Sequence, residues 1–104
     1  MSGIPTEVSL YTELLGYLWN REPQARTDRG RDLVLAEVRV LEHDLVELPD
    51  VRGYDRLALE LRHDVALLTL CSVVGVNAGP ERFEDPAEAR HELEDELAAA
   101  GCVI

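Results

Sequence analysis

Two His-Asp steps form the most suggestive chemical pattern in this sequence. Segment 41–45 reads Leu-Glu-His-Asp-Leu and segment 61–65 reads Leu-Arg-His-Asp-Val. Imidazole and carboxylate groups bind transition metals, so the repeat could indicate a metal site. If the leading leucines face a helix–helix seam, however, His43 and His63 point away from it. We therefore predict that both histidines, like His91, are exposed to solvent and bind no metal.

The two cysteines also suggest little chemistry. Cys71 lies in the apolar run 69–73, where a buried thiol is inert and has no adjacent base. Cys102 lies near the end of the sequence, and we expect it to be an exposed free thiol. The glycines are isolated and form no phosphate-binding loop. The sequence predicts no catalytic residue, no metal and no cofactor.

Paired carboxylates support one enzymatic alternative. All-α nucleotide pyrophosphohydrolases hold Mg²⁺ through acidic residues three apart on two adjacent helices. That spacing occurs here at positions 81 and 84 and at positions 92 and 95, but the first pair precedes an expected helix start at Pro86. Elsewhere Glu60 and Asp64 are four apart. A Mg²⁺-dependent enzyme of this kind is the alternative hypothesis.

Apolar residues at three- and four-residue spacing predict four amphipathic helices. These span about 5–19, 28–48, 54–74 and 86–100. Thr27 or Asp28 would cap the second helix, a turn is expected at 49–53, and Gly75 should end the third helix. Asp85 followed by Pro86 predicts a capped start for the fourth. The predicted fold is a single all-α domain over 1–104, an up-down bundle of four helices; the alternative is a three-helix core with a loosely packed C-terminal helix.

The charge balance restricts the partners. The chain has 21 acidic and 10 basic residues, for a net charge of -11, and every basic residue is arginine. Arginine in place of lysine indicates the codon bias of a high-GC bacterial genome. The negative charge argues against direct nucleic-acid binding and favours a basic protein partner. The sequence shows neither a membrane span nor a secretory signal, so a cytoplasmic protein is expected.

Two segments could form interaction surfaces. The uncharged stretch 65–74 either runs through the bundle core or extends into a self-association interface that would make a homodimer. That interface would use Leu67, Leu70, Val73 and Val74. Tyr17 and Trp19 lie off the main stripe of the first helix and could join either surface, and we expect them in the core.

The second segment, residues 81–96, holds eight acids against two arginines. It is either a solvated helix face or a docking face for a basic partner. The candidate docking residues are Glu84, Glu88, Glu92, Asp95 and Glu96. The sequence therefore predicts a non-catalytic protein-interaction or regulatory module, with an acidic mimic of nucleic acid as a further alternative.

Overall fold

The computed structural model of the protein describes residues 6–21, 30–47 and 53–104. These residues form four α-helices: α1 (Thr6–Arg21), α2 (Arg31–Glu47), α3 (Gly53–Val74) and α4 (Pro86–Ala99). A short 3₁₀ turn, Pro80–Arg82, precedes α4, and no strand occurs within the described ranges. The predicted all-α bundle of four helices is confirmed. The cap predicted at Thr27 or Asp28 and residues 49–52 of the predicted turn lie outside the described residues.

Helix α3 lies at the centre of the bundle. Helix α2 packs along it, and α1 and α4 also contact it. Residues 66–71 are all buried, so this part of α3 is covered on every side. A helix without charged side chains on any face must be buried all round, and here the neighbouring helices bury it. Residues 66–71 of the uncharged stretch therefore belong to the core, whereas Val73 and Val74 at its end are half-buried.

Both α3 and α4 end in the same backbone motif. Gly75 and Gly101 have φ angles of 89° and 88°, in the left-handed region that favours glycine. The next amide then turns back, so that Val76 N–H donates to the Cys71 carbonyl and Cys102 N–H to the Leu97 carbonyl, both at 2.8 Å. The residue that follows such a glycine packs against the last helical turn. Cys102 is accordingly only 1% exposed, and the prediction of an exposed thiol is wrong.

Helix α4 is anchored at its start and along one side. The Asp85 carboxylate accepts a hydrogen bond from the Glu88 backbone N–H at 3.3 Å, which confirms the predicted cap. Ala89, Leu93 and Leu97 are buried on the side that faces the core. Their spacing of four residues fixes which face of α4 turns inward.

Helix α1 buries Tyr11 and Leu15, which lie four residues apart. Tyr17 points to the opposite side and is exposed, with the Arg21 guanidinium 5.8 Å from its ring centroid. The expectation that Tyr17 lies in the core is therefore wrong, because its position on the helix is well outside the apolar stripe. Trp19 is half-buried and packs against the core.

Candidate functional site

Asp64 is the centre of a polar network that joins α1, α3 and α4. Its side chain is 0% exposed. Arg90 on α4 donates to both carboxylate oxygens at 2.7 Å, from Nε to Oδ1 and from Nη2 to Oδ2. The Tyr11 hydroxyl on α1 also donates to Oδ2, and His63 Nδ1 lies 2.9 Å from Oδ1. The two-pronged contact of Arg90 is the geometry in which a guanidinium holds a carboxylate most strongly.

The charge states in this network follow from its geometry. Burial alone would raise the pKa of Asp64, but hydrogen bonds from Arg90, His63 and Tyr11 together hold that pKa below its usual value. Burial would lower the pKa of Arg90, yet the Asp64 carboxylate outweighs burial and raises it. Burial and the Asp64 charge raise the pKa of Tyr11, so its phenol stays protonated. An ionised Asp64 is thus surrounded by donors.

More acidic groups lie at the edge of this network. Arg90 Nη2 is 3.6 Å from Glu60 Oε1, which extends the ion pair along α3. On α2, Glu42 Oε2 is 3.8 Å from His63 Nε2, and both atoms are buried without a hydrogen-bond partner in the described part of the chain. Burial and the nearby Glu42 raise the pKa of Glu94 on α4. All four helices therefore contribute a titratable group to this region.

The position of His63 contradicts the sequence prediction. His43 is exposed, as expected, and so is His91, but His63 is only 2% exposed. The two His-Asp steps are alike in sequence and differ in surroundings. Helix α2 packs mainly against α3 alone, whereas α3 is contacted by α1, α2 and α4. More of the surface of α3 is therefore interior, and His63 lies there beside Glu42 of α2. A heptad assignment based on one seam could not show this.

The carboxylates of Glu60 and Asp64 on α3, which are four residues apart instead of three, are already engaged by other side chains. The Asp64 carboxylate is held by Arg90, Tyr11 and His63, and Glu60 is paired with Arg56 at 3.1 Å and with Arg90. Among the residues described, no group of three His, Cys, Asp or Glu side chains is arranged to hold a metal ion. Neither carboxylate of this pair is presented to a ligand.

Cys71 has no nucleophilic character in this fold. Its side chain is fully buried, and burial raises the pKa of its thiol to about 12. The thiol therefore stays protonated near neutral pH. This agrees with the sequence interpretation of Cys71 as an inert core residue.

The outward side of α4 carries three carboxylates. Glu88, Glu92 and Asp95 are spaced four and three residues apart and are all exposed, so they form one continuous strip, the acidic face. Glu96 lies at its edge, 2.5 Å from the Arg82 guanidinium, and Glu84 is exposed in the turn before the helix. The structure thus brings together three of the five candidate docking residues.

The proposed self-association residues are placed differently. Leu67 and Leu70 are fully buried in the core of the single chain, so they are unavailable to a second copy in this fold. Val73 and Val74 are half-buried and pack against the same core. For Leu67 and Leu70 the fold therefore follows the core alternative, because the other helices of the same chain cover them.

Sequence reasoning missed the partners of Asp64. Tyr11 lies on the apolar stripe of α1, and a hydroxyl on a core stripe is a signal that a buried polar partner exists. Arg90 is flanked by the buried Ala89 and reaches inward from the edge of the α4 core face. Its contact with Asp64 joins residues far apart in the chain, and local spacing cannot reveal such a pairing.

None of the helices within the described ranges is long and apolar enough to cross a membrane. Comparisons with protein-family models, with curated proteins and with solved structures found no match to this chain.

Proposed function

We propose that this chain is a non-catalytic interaction module that binds a basic surface on a protein partner through the acidic face of α4. The observation that carries the proposal is the orientation of α4. Glu88, Glu92 and Asp95 share the exposed side, while Arg90, on the same helix, is turned inward by its contact with Asp64. The outward side therefore lacks the charge of Arg90, and the arginine near it, Arg82 in the preceding turn, pairs with Glu96 and lies 3.8 Å from Glu92.

The spacing of the acidic face suits a basic surface. With a rise of about 1.5 Å per residue, the Cα atoms of Glu88 and Asp95 are about 10 Å apart along the axis. His91, which lies between them, is 3.6 Å from Asp95, and Arg82 is 3.8 Å from Glu92. Both contacts are at the exposed surface, where a basic partner can compete with them. A strip of exposed negative charge steers a basic partner toward it and raises the rate of association.

The buried network gives this face a fixed direction. Arg90 contacts both oxygens of Asp64, and such a two-pronged contact allows little rotation of α4 about its axis. Rotation of α4 would also expose the buried side chains of Ala89, Leu93 and Leu97, so their burial opposes it too. The acidic face is thereby held outward without any direct contact of its own with the core.

Affinity capture from cells can test the proposal with two matched variants. The first neutralises all three side chains of the acidic face, as Glu88→Gln, Glu92→Gln and Asp95→Asn. The control neutralises three exposed acids on other helices, as Glu13→Gln, Glu47→Gln and Asp55→Asn. Both variants change the net charge equally. We expect the wild type and the control to retain the same partner, salt to release it, and the first variant to lose it. Equal retention by both variants would contradict the proposal.

A further inference from the structure

A groove opens between α1, α2 and α3, on a side of the bundle to which α4 contributes no residue within the described ranges. Its floor is one stripe of α3, because Ala66 and Thr69 follow Arg62 by four and seven residues and share that side of the helix with Val65. The groove has a volume of about 280 Å³. Pockets that hold drug-sized ligands measure about 300–1,000 Å³, so this groove suits a smaller molecule.

The floor and one wall of the groove are apolar. Ala66 is buried, Val65 is half-buried, and Leu18 of α1 lies against the core beside them. The Thr69 hydroxyl also lies here, but it donates to the Val65 carbonyl at 2.8 Å, so its proton is already used. A molecule in the groove therefore covers apolar surface and gains free energy by removing that surface from water.

Two arginines at the groove differ from the others in the described ranges. The side chains that donate to a carboxylate or to a backbone carbonyl are Arg31, Arg39, Arg56, Arg82 and Arg90. Arg21 and Arg62 have neither kind of acceptor within those ranges, and both are exposed. Arg21 instead lies 5.8 Å from the centroid of the Tyr17 ring, a contact that leaves its charge without an anion. Both of these guanidinium groups line the same groove.

The charges around the groove favour a ligand with a single negative charge. Among the described lining residues, Arg21 and Arg62 supply two positive charges and Glu37 on α2 supplies one negative charge. A monoanion balances the remaining positive charge, whereas a polyanion is repelled by the net charge of -11 on the chain. The planar guanidinium group matches the two oxygens of a carboxylate.

We propose that this groove binds a small organic carboxylate that carries an apolar ring or chain. Arg21 and Arg62 hold the carboxylate, and the apolar part lies on Val65 and Ala66. Elsewhere in the described ranges the arginines already have an acceptor, so such a ligand finds no equivalent site there. The site shares no residue with the acidic face of α4 and stands independently of the function proposed for that face.

Two aromatic probes that differ in charge test the site in the wild-type protein. 1-Naphthoate carries a carboxylate, and 1-naphthalenemethanol has the same ring system with a neutral hydroxymethyl group. In ¹H–¹⁵N correlation spectra of labelled protein, we expect naphthoate to shift the amide signals of residues 18–21 and 62–69 in a saturable way. The neutral probe should bind about tenfold more weakly, because it loses two partly exposed ion pairs that each contribute a factor of about three.

A pair of double variants tests the two arginines. Arg21→Gln with Arg62→Gln removes both guanidinium groups of the groove. The control, Arg31→Gln with Arg39→Gln, removes two exposed arginines outside it and changes the net charge equally. We expect the first variant to bind naphthoate about tenfold more weakly than the wild type and the control to bind it as the wild type does. Circular dichroism establishes that both variants are folded.

Three results would overturn the proposal. Equal affinity of the wild type for the two probes would show that the arginines do not read the negative charge. Equal affinity of the two double variants for naphthoate would place the anion elsewhere. Inorganic phosphate that binds at the groove as tightly as naphthoate would show that the apolar floor contributes nothing.

Discussion

Replacing Arg90 with methionine removes the guanidinium that neutralises Asp64 while keeping a long, flexible side chain of similar reach. Asp64 is 0% exposed, so water cannot replace the two hydrogen bonds of 2.7 Å that are lost. Tyr11 and His63 would still donate to the carboxylate. The variant therefore contains a buried charge that is only partly compensated.

Removing one member of a buried ion pair costs about 3–5 kcal/mol. Because Arg90 is 21% exposed and two donors remain, we expect a loss of about 3 kcal/mol, the lower end of this range. That loss is a large fraction of the free energy of unfolding of a typical domain, about 5–15 kcal/mol. The deficit should shrink as the pH falls, because protonation of Asp64 removes the uncompensated charge.

Urea denaturation followed by circular dichroism measures this loss. Arg82→Met is the matched control, because Arg82 is 28% exposed and pairs with Glu96 at the surface, where an ion pair contributes about 0–1 kcal/mol. Asp64→Asn combined with Arg90→Met should recover much of the stability, since no buried charge remains. If Arg90→Met costs no more than Arg82→Met, the assignment of a buried, ionised Asp64 is wrong.

Three further perturbations address the same core. Tyr11→Phe removes a donor to a buried carboxylate and should cost about 1.5–3 kcal/mol, whereas Tyr17→Phe on the exposed side of α1 should cost nothing measurable by urea titration. Because the pKa of Asp64 is lowered in the folded state, its contribution to stability is present above the usual aspartate pKa and is lost as the pH falls through the lower native pKa. The free energy of unfolding should therefore decrease less steeply with falling pH in Asp64→Asn than in the wild type. An equally steep decrease in the variant would contradict this. Leu70→Ala should lower the free energy of unfolding by about 2–5 kcal/mol, whereas Leu33→Ala, at an exposed position, should lower it by less than about 0.5 kcal/mol. A similarly small loss for Leu70→Ala would contradict the burial of Leu70.

The helices of this protein could be predicted because their signals are local. Capping by Asp85 and the left-handed glycines Gly75 and Gly101 depend on residues within a turn of each other. Periodic apolar residues likewise mark one helix at a time. These signals placed the observed ends of α3 and α4 within one residue of the prediction.

The polar network could not be predicted because it depends on which helices surround α3. Asp64 and its partners Tyr11 and Arg90 come from three helices, and the periodicity of each helix describes only its own apolar side. His63 is one example: a heptad assignment that considered only one contact surface of α3 predicted an exposed histidine, whereas the side chain is buried. Cys102 was misplaced for a related reason, since its burial follows from the turn after Gly101.

Zero-length crosslinking of carboxylates to amines tests the proposed acidic face most directly. The sequence contains no lysine, so a crosslink between a carboxylate of this chain and a lysine identifies a residue of the partner. Applied to the captured complex and read by mass spectrometry, the method maps where the partner sits. We predict crosslinks concentrated at Glu88, Glu92 and Asp95. Crosslinks that fall equally on exposed acids of the other helices, such as Glu13 and Asp55, would contradict binding through α4.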